Sequence, residues 1–251
     1  MGPTGATLFS GFGASGNNLA RRQTVDAINS ATYGTVYERR FAAVQKRAIL
    51  FADSVNAAIA GVPALATPFP TNNTLATQLQ TVARLIAARN TLGMTRQVFF
   101  VSTGGFDTHD DLLQDQPNLF GTVSSAMAAF YNATVELGVA NNVTAFTQSD
   151  FGRTLTSNGD GSDHAWGGVQ MVVGGAVQGQ KIYGTMPVLR INATLAADGA
   201  DDVSGGRFIP TTSSDQYAAT LVKWFGVNDT NLVQVAPSIN NFALKNLGIL
   251  G

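Results

Sequence analysis

The sequence of 251 residues lacks cysteine and is poor in charge, since only 12% of its residues are charged. Without cysteine the chain has no disulfide bond, no thiolate nucleophile and no cysteine-ligated zinc site. The net charge is -1, so there is no basic field for nucleic acid, and no nucleic-acid binding is expected. No apolar run reaches the roughly 18 residues of a membrane-spanning helix, so no membrane span is predicted.

Apolar residues make up 45% of the chain, which excludes intrinsic disorder, and in four stretches they follow the spacing of amphipathic helices. The first stretch ends at Gly61 and carries Phe41, Val44, Ala48, Phe51, Val55 and Ala58. The second carries Leu75, Leu79, Val82 and Ile86, and the third carries Leu119, Val123, Met127, Phe130, Thr134 and Leu137 before Gly138. The fourth follows an N-cap region at Ser213, carries Tyr217, Leu221 and Trp224, and ends at Gly226.

Short, continuous apolar runs between these helices predict buried strands. The runs are Gln97–Ser102, Val143–Thr147 and Val169–Val173. Because strands and helices alternate along the chain, the sequence predicts an α/β fold with a mostly parallel sheet flanked by helices. Residues 41–251 are predicted to form this single domain, and the Gly-, Ser- and Asn-rich residues 1–40 an extended or irregular arm.

Acidic and imidazole side chains cluster next to the predicted strands. Asp107 and His109 follow the first strand, Asp150 follows the second, and Asp163 and His164 precede the third. In a parallel α/β sheet, the loops after the strands meet at the carboxyl edge, where ligands bind. The sequence therefore places these groups in loops that are expected to hold a ligand.

The chain has only two histidines, and both, His109 and His164, stand beside aspartates in these loops. Carboxylates and imidazoles together suit zinc, manganese, magnesium or calcium, and two or three aspartates with two histidines would complete one site. The alternative is that the aspartates brace the loops and that each histidine only hydrogen-bonds a neighbour. The residue pattern by itself leaves both interpretations open.

Several short motifs follow one another in order along the chain: VFFVSTGGFDTH (98–109), SDFGRT (149–154), GSDH (161–164), GGAVQG (174–179) and YG (183–184). This ordered set resembles the bacterial domain-of-unknown-function family 1501, over nearly the whole chain. That family in turn resembles the alkaline phosphatase and sulfatase superfamily. The resemblance implies an alkaline-phosphatase-like fold, a divalent metal, a small anionic phosphate or sulfate ester as substrate, and a periplasmic or secreted protein.

The resemblance also implies roles for individual residues. Asp150 stands in the position of a ligand aspartate, and His164 resembles a later ligand histidine. Asp107 and His109 resemble the aspartate and histidine that precede the Asp-His pair of the superfamily. Phe151 stands where the superfamily has a histidine, so the resemblance implies a single metal site.

Two further residues, Arg153 and Asp163, are assigned by the resemblance to substrate binding, with the Arg153 guanidinium as a clamp for the anionic group. The alternative for Arg153 is an ion pair with Asp150 or with Asp163.

The start of the family pattern, a strand leading into a Gly-Gly-Asn-Asp or Gly-Gly-Ala-Asp turn and then a Ser-His segment, has no counterpart in this sequence. This difference predicts association with an N-terminal segment outside the sequence, or homo-oligomerisation. Two functions are expected as alternatives. One is a metal-dependent phosphate or sulfate ester hydrolase with a single degenerate site, and the other is a non-catalytic exported structural, binding or assembly protein on the same fold.

Overall fold

The structure, a computed structural model, describes Ala6 and residues 11–191 and 201–251. It divides into two compact units, Met1–Val101 and Ser102–Gly251, called here the first and the second unit. The domain boundary predicted at residue 40 falls inside the first unit. None of the helices in the described ranges has the length and hydropathy needed to cross a bilayer.

The first unit is helical in its described part. Its helices are α1 (Gly16–Ser30), α2 (Val36–Ala60) and α3 (Thr74–Ala87). Thr35 starts α2 with a capping box, in which its hydroxyl accepts from the Glu38 amide and the Glu38 carboxylate accepts from the Thr35 amide. The side chain of Asn73 caps α3. Helices α2 and α3 confirm the first two predicted helices.

The core of the first unit lies where the C-terminal half of α2 meets α3. Val55 and Ile59 of α2 pack with Leu85 of α3, and Phe99 packs against this cluster. The predicted apolar stripe of α3 is buried along its whole length. The stripe of α2 is buried only at its C-terminal end, and Phe41 near its start is 66% exposed.

Helix α1 lies within residues 1–40, so the prediction of an extended or irregular arm is wrong for Gly16–Ser30. A polar contact connects α1 to α2, since the guanidinium of Arg22 forms an ion pair with Asp53 of α2. Arg22 also forms a longer ion pair, of 4.0 Å, with Asp26 within α1. Asn29 is the one buried residue of α1. Only five of the 15 residues of α1 are apolar, so α1 gives a weaker sequence signal than the predicted helices do.

The second unit combines helices with two small sheets. Its elements are α4 (Leu112–Glu136), β1 (Thr144–Phe146), β2 (Gly152–Ser157), β3 (Ser162–Ala165), β4 (Val172–Gly174), α5 (Ser214–Phe225) and α6 (Leu232–Val235). Helices α4 and α5 confirm the other two predicted helices. Helix α5 ends at Gly226 in the left-handed conformation (φ 108°), and its Ala219 packs with Leu232 and Ile239.

The predicted α/β fold with a mostly parallel, alkaline-phosphatase-like sheet is wrong, because the described residues form two antiparallel, two-stranded sheets. Gln97–Ser102 joins neither sheet, and its Val98 and Phe100 are 80% and 91% exposed. Val143–Thr147 and Val169–Val173 contribute to β1 and β4, which pair with each other. A short apolar run indicates strand propensity but fixes neither the partner nor the direction, because distant segments decide backbone pairing.

Candidate metal site

A loop and a hairpin bring most of the predicted site residues together. The loop, Asp107–Asp111, lies immediately before α4, and the hairpin consists of β2 and β3. In the hairpin register Arg153 of β2 is paired with His164 of β3. Directly paired residues share one face of a sheet, so these two side chains lie side by side.

The loop is fastened to the hairpin through its backbone. The Ser162 amide donates a hydrogen bond to the Thr108 carbonyl (3.3 Å). Gly161, at the hairpin turn, lies so close to the loop that a Cβ there would overlap the carbonyl group of His109. Glycine at this position therefore allows the His109 backbone to approach the hairpin.

Asp107, His109 and His164 converge at one point. Asp107 Oδ1 lies 3.0 Å from His109 Nε2 and 2.7 Å from His164 Nε2. All three ligand atoms lie within 4.8 Å of one another, the one such group found in the described part of the chain. The three side chains are between 45% and 57% exposed, so the cluster is accessible from solvent.

The cluster fits a divalent cation in composition and in spacing. Two imidazole nitrogens and one carboxylate form a ligand set of zinc sites that keep a fourth position open. In tetrahedral geometry with bonds of about 2.1 Å, ligand atoms are roughly 3.3–3.4 Å apart. The separations at Asp107 Oδ1 would have to widen by only about half an ångström to match this value.

Arg153 is engaged with protein groups through most of its guanidinium. Its Nη1 donates to Asp107 Oδ1 (2.8 Å), its Nη2 donates to the carbonyls of Thr108 (2.8 Å) and Ser162, and its Nε donates to Ser162 Oγ (3.2 Å). The side chain is only 15% exposed. Arg153 thus forms an ion pair, as the alternative interpretation predicted, but its partner is Asp107.

Asp107 is surrounded by cationic and hydrogen-bonding groups. The hydrogen bond from His164 has the largest effect and lowers the pKa of Asp107. Desolvation opposes it, and Arg153 and His109 lower the pKa further by smaller amounts, so the pKa lies below its usual value. The carboxylate is therefore the stable form of Asp107 at neutral pH, which is the form that binds a cation.

Asp163 lies behind His109. Its Oδ1 is 3.5 Å from His109 Nδ1, and it accepts a hydrogen bond from Asn158 Nδ2 (3.0 Å). A carboxylate on the far nitrogen of a ligand histidine is a common feature of metal sites, because it favours the tautomer that leaves the near nitrogen unprotonated. In this position Asp163 can orient His109.

The ring of Phe151 is stacked on His164, with ring centroids 4.1 Å apart and an angle of 8° between the planes. The resemblance treats Phe151 only as a missing ligand. The structure shows that it forms one wall of the cluster, and that it also lies 5.7 Å from the guanidinium carbon of Arg153.

Asp150, predicted as a ligand, is exposed in the loop before β2 and does not belong to the converging group. The β2–β3 hairpin that positions His164 is not among the strands predicted from the sequence. Its signal is the Asn158-Gly159 pair, which is typical of hairpin turns and lies within the four residues 158–161 that join β2 to β3. The roles of Gly161 and Phe151 depend on contacts across that hairpin.

Comparison with known proteins identifies a family. No curated protein and no solved structure matches the chain. Residues 36–234 match a family model described as protein of unknown function DUF1501. The match covers more than half of the sequence, including every residue of the cluster and of the hairpin. The chain therefore belongs to the DUF1501 family.

Proposed function

We propose that the protein binds one divalent cation, with zinc as the best match, through Asp107, His109 and His164. The observation that carries this proposal is that both histidines of the chain meet at one carboxylate oxygen. Two imidazole ligands favour zinc over manganese, calcium and magnesium, which prefer oxygen ligands. Arg153 and Asp163 complete the site by holding Asp107 and His109 in place.

As a finer proposal, the site hydrolyses phosphate or sulfate esters in an exported protein. Its support is the resemblance of Asp107, His109 and His164 to ligand positions of the alkaline phosphatase and sulfatase superfamily, which is a resemblance of motifs and not of fold, together with the exposure of all three ligands. A cation bound there would polarise an ester oxygen and lower the pKa of water. Asp163 and the rigidly held Arg153 keep the ligands in place, and a substrate anion would have to draw Arg153 away from Asp107.

A second candidate function is supported by the hydrogen bonds of Arg153. The guanidinium pairs with Asp107 and connects the loop to the hairpin through its own hydrogen bonds. A protein in which this network only braces the loop is the non-catalytic alternative, with a structural, binding or assembly role. The two functions differ in whether the protein takes up a cation.

The deciding experiment measures metal content by plasma mass spectrometry on protein purified without chelator, followed by zinc titration calorimetry. We expect about one equivalent of zinc per chain in the native protein, lost in Asp107→Asn, His109→Gln and His164→Gln. Asp150→Asn is the matched control, because Asp150 is an exposed aspartate near the hairpin but outside the cluster.

Two outcomes would contradict the proposed metal site, and a third would contradict only the hydrolase proposal. Native protein that is folded yet binds no zinc supports the bracing role. Loss of zinc in Asp150→Asn would show that the ligand set differs from the cluster. If zinc binds but p-nitrophenyl phosphate and p-nitrophenyl sulfate are not hydrolysed, the hydrolase proposal fails while the metal site stands.

A further inference from the structure

We propose that Phe151 is a positioning residue, whose ring holds the imidazole of His164 in the orientation that binds the cation. This inference rests on the proposed function, because it assigns a role within the same metal site. In the family resemblance, Phe151 is only a position at which a ligand histidine is replaced. The inference assigns Phe151 a role of its own.

The geometry of the stack is the first argument. The two rings are nearly parallel, at 8°, with centroids 4.1 Å apart. The side chain of His164 is 51% exposed, and an exposed imidazole rotates about its terminal torsion with little preference. A ring lying against one face restricts this rotation, so Nε2 stays directed at Asp107 Oδ1, 2.7 Å away.

The hairpin fixes the position of Phe151. Phe151 directly precedes Gly152, which is paired with Ala165, the neighbour of His164. A Cβ at Gly152 would overlap the carbonyl group of Gly167, so the backbone is tightly packed there. Phe151 stands two residues before Arg153, which is paired with His164, so the side chains of Phe151 and His164 lie on the same face of the hairpin.

The two histidines of the cluster have supports of different kinds. His109 faces the carboxylate of Asp163 through Nδ1 at 3.5 Å. The imidazole of His164 packs against the face of the Phe151 ring. The Phe151 ring accepts no conventional hydrogen bond, so it supports His164 by packing. Their own rings lie 5.1 Å apart at 33°, so neither imidazole is stacked on the other.

The experiment compares two variants without an aromatic ring, Phe151→Leu and Phe151→Met, with Phe151→Tyr, which keeps the ring. Phe146→Leu is the matched control, because Phe146 is a partly exposed phenylalanine of the second unit whose ring contacts Tyr217. Cobalt(II) serves as the probe, since its visible spectrum reports ligand geometry as well as binding. Circular dichroism checks that each variant is folded.

We expect Phe151→Leu and Phe151→Met to bind cobalt about 3- to 10-fold more weakly than the native protein and to change its visible bands. Phe151→Tyr and Phe146→Leu should stay within about 2-fold, the scale expected when no ring contact to the site is lost. Proton NMR of the metal-free protein gives a further test. The ring protons of His164 should lose the ring-current shift caused by Phe151 when Phe151 is replaced by leucine, and the ring protons of His109 should not. That measurement reports the stack without any metal.

Unchanged cobalt affinity and spectrum in both non-aromatic variants would overturn the inference while leaving the metal site intact. An equal loss in Phe151→Tyr would also overturn it, because the ring would then be irrelevant. Native protein that binds neither cobalt nor zinc overturns the proposed function and this inference with it. The native measurement therefore separates failure of the site from failure of the Phe151 role.

Discussion

Around Ile59 in the first unit the contacts are apolar and buried, whereas around Asp107 in the second unit they are charged and half exposed. Ile59 is 1% exposed and packs with Val55 and Leu85. Asp107 is 57% exposed and is contacted by two imidazoles and a guanidinium. One region is stabilised by the removal of apolar surface from water, and the other by hydrogen bonds and charge.

The two regions should therefore respond to different perturbations. Burial of apolar surface is insensitive to pH and to metal ions, but it is sensitive to the loss of a single methylene group. Exposed charge pairs contribute little free energy and are screened by salt, yet they respond to protons and to cations. The α2–α3 core around Ile59 thus contributes stability. The β2–β3 hairpin and the loop at Asp107 form a site whose protonation and cation binding depend on the pH and on the ions in solution.

The largest effect is expected for Ile59→Ala, which leaves a cavity in the helical core. The free energy of unfolding should fall by about 2–5 kcal/mol, and Ile59→Val should cost only about 0.5–1.5 kcal/mol. Urea unfolding followed by circular dichroism measures both. The zinc affinity of the folded protein should stay unchanged, because Ile59 packs with Val55 and Leu85 and is not among the three ligands, and a parallel loss of zinc binding would contradict this prediction.

The next largest effect is expected for Gly161→Ala, which places a Cβ against the carbonyl group of His109. Moving the loop away from the hairpin should cost about 1–3 kcal/mol, as other overpacked sites do. It should also weaken zinc binding, because His109 is displaced. Gly168→Ala is the control, since a Cβ at Gly168 meets no atom within 4 Å. Equal behaviour of the two variants in calorimetry would refute this account.

The helices could be predicted from the sequence, but the sheets could not. Residues three and four apart in the chain are neighbours on a helix, so the spacing of Leu75, Leu79 and Val82 is local information. The partner of Val143–Thr147 is a segment more than twenty residues away, and nothing local sets its direction. Helix α1 is the exception, because only five of its 15 residues are apolar and its sequence signal is therefore weak.

The candidate site was predicted in part, although the reasoning relied on the wrong sheet. Asp107, His109 and His164 meet through a loop and an antiparallel hairpin, and no parallel-strand edge is involved. The useful signal was chemical: both histidines occur beside aspartates. Asp150 carries the same chemistry, but the hairpin places it outside the group, and only the three-dimensional register distinguishes it.

A smaller effect is expected from acid on the hairpin region. Because the pKa of Asp107 is lowered by His164, Arg153 and His109, its contribution to stability is present above the unfolded carboxyl pKa of about 3.9. It is lost as the pH falls through the lower, folded-state value. Amide exchange of residues 152–165, measured from pH 6 to pH 3, should speed up beyond the intrinsic pH dependence in the native protein.

The control for this prediction is Asp107→Asn, which has no carboxylate to protonate. In that variant the excess acid dependence of exchange at residues 152–165 should be reduced, while exchange in the α2–α3 core stays as in the native protein. The interpretation fails if the variant keeps the full acid dependence, because another group would then be responsible.

The smallest effect is expected for Val44→Ala in the exposed part of α2. This change compares an exposed and a buried position within one helix. Val44 belongs to the same apolar spacing as Val55, yet it is 54% exposed, whereas Val55 is 1% exposed. Val44→Ala should change the unfolding free energy by no more than about 0.5 kcal/mol, since it removes little buried surface and alanine favours a helix. Measured beside Ile59→Ala, both changes end in alanine, and Ile59 loses only one carbon atom more than Val44, so the main difference between the two sites is burial. A loss at Val44 as large as that at Ile59 would mean that the α2 stripe is covered in the protein, and that spacing alone had identified a buried face.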